Sequence, residues 1–357
     1  MTLRKLFSII TLLLVATVMW ADNEIKGVSD MYKNRLADSI ISIKFDVRAD
    51  ATYNQNLEDK TEDFGFRGKY LKFALNGNIS DKFSYAFRYR IYKDNGAPSD
   101  FFGSVDWVYL AYQINKNFSV SAGKEVIAIG GYEYDKAPID VYFWSDYWNN
   151  IPAAFQFGAS FNYHTNDGKH TLKFQATNSP FSGQSLDGLF AYNLIWYGDL
   201  GWFKPIYSVN FIEYDKGRFM NYIALGNKFT IGNYSLELDY MNRASFQQEN
   251  FFADFSIIAN MNYLITDHWN VFIKGGYDQN KAQAIGAPYI FDRSVTPGTQ
   301  YGFYGAGVEF YPIKSLKNNL RIHAYIYSNT KPVTETNQKQ VLSFNLGVRW
   351  QMRVFQR

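Results

Sequence analysis

Ile-Ser-Ile-Lys-Phe-Asp-Val-Arg-Ala-Asp-Ala-Thr-Tyr, residues 41–53, alternates without a break. Its odd positions are apolar (Ile41, Ile43, Phe45, Val47, Ala49, Ala51 and Tyr53), and its even ones are polar (Ser42, Lys44, Asp46, Arg48, Asp50 and Thr52). A helical stripe would repeat every ~3.6 residues, so a run alternating with period two is a strand with one dry and one wet face. The pattern recurs at 83–91, 153–163, 234–240, 251–263 and 342–352.

Working outward, sixteen such segments are expected: 40–53, 66–78, 82–93, 104–114, 118–126, 153–164, 171–178, 189–197, 205–214, 219–230, 234–243, 251–264, 269–278, 301–311, 320–328 and 340–353. The fourth and tenth are the weakest, because apolar residues stand on both of their faces. Connections alternate in length. Short ones hold turn residues, as in Asn166-Asp167-Gly168 and Gly232-Asn233, whereas 54–65, 94–103, 127–152, 179–188, 244–250, 279–300 and 329–339 are longer, and only 215–218 breaks the rule.

One row of each strand is Phe, Leu, Ile and Val, with Tyr53, Tyr85, Tyr89, Trp196, Tyr240, Trp269 and Trp350 near strand ends; the opposite row is charged or polar. A wall of that polarity cannot pack a dry core without stranding its charges. It suits a sheet with lipid on one side and water on the other, with rings at the headgroup level. In lipid a sheet must close, because no backbone N–H or C=O can stay unpaired. The expected fold is therefore all-β, a transmembrane antiparallel β-barrel of about sixteen strands. That number leaves an aqueous channel, where eight would be filled by side chains.

Composition agrees. The chain has 357 residues, 19% of them aromatic (8 Trp, 28 Tyr, 31 Phe), and no cysteine, which excludes disulfides and thiolate sites. Residues 1–21 read as a signal peptide: Arg4 and Lys5, an apolar stretch from Leu6 to Met19, and Ala21 as the last residue. Its removal leaves 34 of 36 bases against 33 acids, net +1, which argues against nucleic acid as a partner. Residues 22–39 are expected to be a short periplasmic segment before a barrel over 40–357. The expected location is the outer membrane of a Gram-negative bacterium, with its lipids as partners.

The longest connection, 127–152, carries Glu133, Asp135, Asp140 and Asp146 against Lys136, together with Tyr132, Tyr134, Tyr142, Phe143, Trp144, Tyr147 and Trp148. So apolar a loop is expected to fold inward and narrow the channel; the alternative is an outward loop that binds a partner. Inward rows put Lys44, Arg48, Lys72, Arg88 and Arg90 on strands one to three, and Arg321 and Arg349 on the last two. Closure would join these into one basic arc, facing an acidic wall of Glu237, Asp239 and Asp254. A loop between the two would set a transverse field that passes small ions of both signs, with a weak preference for anions.

Ala122-Gly123-Lys124-Glu125-Val126-Ile127-Ala128-Ile129-Gly130-Gly131-Tyr132-Glu133 resembles the Gly-Lys/Arg … Gly-x-Glu segment of the phosphate-selective porin O and P family. The resemblance implies a sixteen-stranded outer-membrane porin, commonly a homotrimer, that passes small anions and places its constriction in the loop after this segment. Here that loop is acidic rather than basic.

Catalytic residues, cofactors and metals are not expected. His164, His170, His268 and His323 are scattered, and Gly302, Gly305 and Gly307 lack dinucleotide spacing and read as room for close packing. Beside a passive porin stand two other readings, an oligosaccharide-preferring channel guided by the loop aromatics and a barrel acting as surface receptor or adhesin.

Overall fold

A computed structural model describes residues 40–91, 101–145, 154–182, 187–245, 248–281, 298, 300–317, 319–330 and 339–357. The expected leader and the segment before the barrel lie outside them. The strands are β1 (Ser42–Asn56), β2 (Glu62–Asn78), β3 (Phe83–Arg90), β4 (Val105–Gln113), β5 (Phe118–Val126), β6 (Phe155–His164), β7 (His170–Asn178) and β8 (Phe190–Gly198). They continue as β9 (Phe203–Asp215), β10 (Arg218–Ile231), β11 (Tyr234–Ala244), β12 (Asp254–Thr266), β13 (Trp269–Asn280), β14 (Gln300–Phe310), β15 (Leu320–Asn329) and β16 (Val341–Gln356). Each pairs antiparallel with its sequence neighbours, and β16 pairs with β1, so the sheet closes into a barrel without an edge.

Alternation fixes the two faces. In β16, Leu346 is 50% exposed on the outside while adjacent Asn345 is 1% exposed within. Outward rings gather at the end with the short turns: Phe83 with Tyr112, Phe118 with Tyr163, Trp202 with Phe229, Tyr234 with Tyr263 and Trp269 with Phe310. Such a belt suits a membrane interface, where an amphipathic ring is satisfied on both sides.

Strand ends differ from the sequence reading where alternation fades before pairing does. β1 and β2 run on to Asn56 and back from Glu62, so the connection expected over 54–65 is a tight turn at 57–61. The extension Asn54-Gln55-Asn56 is polar on both faces, as a strand standing clear of an apolar surroundings can be. β12 begins at Asp254 rather than 251, because Phe251 and Phe252 belong to the preceding turn.

The pairing of β1 with β2 also carries a bulge. Arg48 faces Tyr70 while Ala49 faces Gly68, which leaves Lys69 as the extra residue. The sequence shows the consequence: outward positions are Phe64 and Phe66 before it, then Leu71, Phe73 and Leu75 after it.

Candidate functional site

Residues Ile127 to Ser145 leave the end of β5 and lie inside the barrel. The first part is laid along β7 to β11. Ala128 N–H donates to Gln175 Oε1 and Gly130 N–H to Ser208 Oγ, both at 2.8 Å, and Asn210 Nδ2 donates to the Ala128 carbonyl at 2.8 Å. The Asp239 carboxylate then takes two backbone N–H groups, of Tyr132 on Oδ1 and of Glu133 on Oδ2, each at 2.8 Å. These are donors at the start of a single helical turn, Tyr132–Asp135, which no helix bond could satisfy. Gly131 has φ 95°, and a Cβ on Gly226 would come within 2.7 Å of Gly131 Cα, so glycine at both positions lets the backbones touch.

Beneath this part the wall is apolar. Ile127, Ile129 and Tyr134 pack against Ala191, Ile212, Tyr222, Ala224, Met241 and Ile258. That explains the inner apolar row of β10, which made it a weak amphipathic strand in sequence: Met220, Tyr222 and Ala224 cover the inserted segment instead of facing water. On β4 the inner residues Trp107 and Tyr109 pack with Ala86.

The second part is held by charge. Lys136 bonds Glu237, which also takes Lys228 Nζ at 3.0 Å. Asp140 crosses to the opposite wall and sits between Arg321 Nη2 at 2.8 Å and Arg349 Nε at 3.2 Å. Arg321, Arg349 and Arg48 are direct cross-strand neighbours on β15, β16 and β1. Arg48 donates to the Val141 carbonyl at 3.0 Å and is paired with Asp50 at 2.8 Å. Tyr142 donates to Glu309 at 2.6 Å, stacks on Phe272 with centroids 4.9 Å apart, and has the Arg48 guanidinium 4.9 Å from its ring. Phe143 lies 5.1 Å from Tyr327, in the space that Gly305 leaves open. Burial would raise the Asp140 carboxyl, but Arg349 and Arg321 outweigh it and hold it below its ordinary 3.8. For Lys136, burial would lower the ammonium, and Glu237 outweighs that and raises it.

The sequence-expected residues are therefore brought together in part. Lys72, Arg88 and Arg90 converge on Asp106, at 3.5, 2.7 and 2.6 Å, with Arg88 3.4 Å above the Trp107 ring. Lys44 is half-buried on β1 and Asp135 is buried in the helical turn. Glu133 does not face the arginines: it bonds Lys274 of β13 and takes Ser145 N–H at 3.0 Å. Asp254 does not meet the inserted segment either, because its cross-strand partner Arg243 takes it at 2.7 Å. Trp144 bonds Tyr70. Asp146 and Trp148 lie outside the described residues.

Sequence reasoning missed Asp106, Lys274, Arg243 and Glu309, which stand on inward rows but whose partners depend on strand register. It missed Lys69 because the bulge breaks the alternation, although the parity switch between Phe66 and Leu71 marks it.

Two cavities meet at Tyr142 and Phe143. One, of 370 Å³, opens among Glu133, Lys136, Glu237, Lys274 and Arg321. The other, of 480 Å³, lies nearer the long-connection end and includes Lys69, Trp144 and Tyr327.

The chain carries a family signature over part of its length. Residues 41–201, which are β1 to β8 with the inserted segment, match the family described as phosphate-selective porin O and P. This half of the barrel is porin-like in sequence. The whole barrel is porin-like in fold: an anion-selective porin from Comamonas acidovorans superposes with a TM-score of 0.64 at 11% identity, over 88% of this chain and 100% of that one. The outer membrane channel DcaP of Acinetobacter baumannii gives 0.59 at 12% identity, over 87% and 97%. A trimer form of OmpT from Vibrio cholerae gives 0.58 at 13%, over 87% and 99%. No curated protein matches the chain.

Proposed function

We propose that this protein is an outer-membrane porin: a passive diffusion channel for small hydrophilic solutes and ions, with a weak preference for anions. The observation that carries it is the inserted segment from Ile127 to Ser145, fixed to both walls and leaving a cavity with polar lining on each side. On this reading the short turns are periplasmic and the long connections external. The porin match and the fold favour a channel over an enzyme. The leader at residues 1–21 delivers the chain to the outer membrane, and a homotrimer is the assembly, as in the trimer form of its Vibrio cholerae neighbour.

The anion preference rests on how acids and bases are shared. Lys72, Arg88 and Arg90 surround a single carboxylate, whereas Arg321 and Arg349 share Asp140 and Arg321 also meets Glu309 at 3.1 Å. On the other wall Glu237 is shared by Lys136 and Lys228, while Asp239 is spent on backbone N–H groups. Positive charge is thus in surplus around Asp106, whereas acids and bases are near balance where the segment crosses, and this supports a preference for anions that is weak.

Planar-bilayer recording of the purified protein tests the reading. Stepwise conductance is expected, with a reversal potential in a salt gradient on the anion side of zero. Replacing Arg48, Arg88 and Arg90 by Ser should move it toward cations, and neutralising Glu133, Asp135 and Asp140 toward anions. A silent bilayer would overturn the channel; a reversal potential unmoved by either set would overturn the role of these charges.

A further inference from the structure

The two cavities differ in charge. The one toward the short turns has carboxylates and bases in comparable numbers, Glu133, Asp140, Glu237 and Glu309 among the former and Lys136, Lys228, Lys274 and Arg321 among the latter. The other is lined by three bases, Arg67, Lys69 and Lys339, and by no carboxylate among the described residues. Two of these bases are satisfied at an exposed rim, Arg67 by Asp63 at 3.2 Å and Lys339 by Asp59 at 3.0 Å. Lys69 is half-buried and makes no hydrogen bond or ion pair among the described residues. It is also the bulge residue of β2, the device by which a barrel strand re-aims one side chain.

The same cavity has aromatic residues in its wall. Trp144, Tyr325 and Tyr327 line it, Tyr327 only partly covered by Phe143. The remaining lining supplies amide and hydroxyl groups, in a chain where Thr52 bonds Asn345 at 2.8 Å and Ser343 bonds Asn54 at 2.6 Å. A volume of 480 Å³ is that of a small-molecule site, mostly preformed, with a few polar groups to orient its occupant.

We infer that the external cavity is a binding subsite for small carboxylates carried on a ring with an apolar face, with the carboxylate on Lys69 and the ring against the aromatic wall. This deepens the porin reading and rests on it for the direction of entry, since the subsite would be met first from outside. A bare anion gains only the ammonium and a neutral ring only the wall; a ring acid gains both. Sugar acids and aromatic acids share this chemistry, and the amide and hydroxyl lining would favour the former.

The test is calorimetric titration of the purified barrel in detergent with galacturonate, benzoate, glucose and acetate, alongside bilayer recording with each added to the external side. Galacturonate or benzoate should bind roughly tenfold tighter than both glucose and acetate. Whichever of the two is tighter identifies the source. Lys69→Met should remove that advantage without changing glucose binding, and Lys69→Arg should keep it; unchanged anomalous migration on unheated gels would show both variants folded. Acetate binding as tightly as the ring acids, or Lys69→Met leaving their affinity intact, would overturn the subsite. Ion conductance without ring-acid binding would sink this inference and leave the porin standing. Binding with a silent bilayer would keep the subsite and sink the porin.

Discussion

The two parts of the inserted segment are fastened by different physics. From Ile127 to Tyr134 it lies on an apolar wall, with its N–H groups handed one by one to Gln175, Ser208 and Asp239. From Lys136 to Phe143 it is suspended between Glu237 and the arginine row, with Tyr142 stacked between guanidiniums and Phe272. Dry packing and backbone bonds are indifferent to salt and set where the segment sits. Ion pairs in a wet lumen are screened, cost desolvation and contribute less to position, but they set the field a solute crosses. One part anchors and the other tunes.

That division can be broken from the anchoring side first. Asp239→Ala should leave two buried N–H groups without acceptors, at about 1–3 kcal/mol each. The segment should detach, seen as a larger single-channel conductance and as new protease cleavage between 127 and 145. Ile129→Ala comes next, at about 2–5 kcal/mol for a buried aliphatic side chain. It should give the same conductance change in a smaller fraction of channels. If either variant altered selectivity but not conductance, the anchor and the tuner would have been assigned the wrong way round.

Asp140→Asn attacks the tuning side. It removes the carboxylate shared by Arg321 and Arg349 and should shift the reversal potential toward anions, with conductance changed by less than about twofold because packing holds the segment in place. The smallest effect expected is with pH. Asp140 is held below its ordinary 3.8 by the two arginines, so its ion pairs are complete above that value and are lost only as pH falls through the lowered one. Selectivity should stay flat from neutral pH down to the ordinary 3.8 and drift toward anions only below it. A change of selectivity centred near neutrality would mean that another group controls the field.

The same contrast tells how far the sequence could be read. Phe45, Leu346 and their rows announced the lipid face residue by residue, because strand amphipathicity is a local property. The inner apolar residues of β10 looked like noise in that pattern and were in fact the footprint of the inserted segment. Asp254 was grouped with Glu237 and Asp239 by sign alone. Register instead puts it opposite Arg243, close to the long-connection end.

What the sequence determined by itself was the barrel: alternation needs only neighbours in the chain, and an amphipathic sheet in lipid has no stable form except closure. The number of strands, the inward rows and the presence of a long aromatic loop followed from the same local signal. Which charge meets which was decided only by the tertiary structure. Arg48 and Val141, or Glu133 and Lys274, are far apart in sequence and meet because strand register and the path of a single loop place them together. A pairing between distant residues depends on both of these at once. For that reason the wall of the channel was legible in the chain, and the field inside it was not.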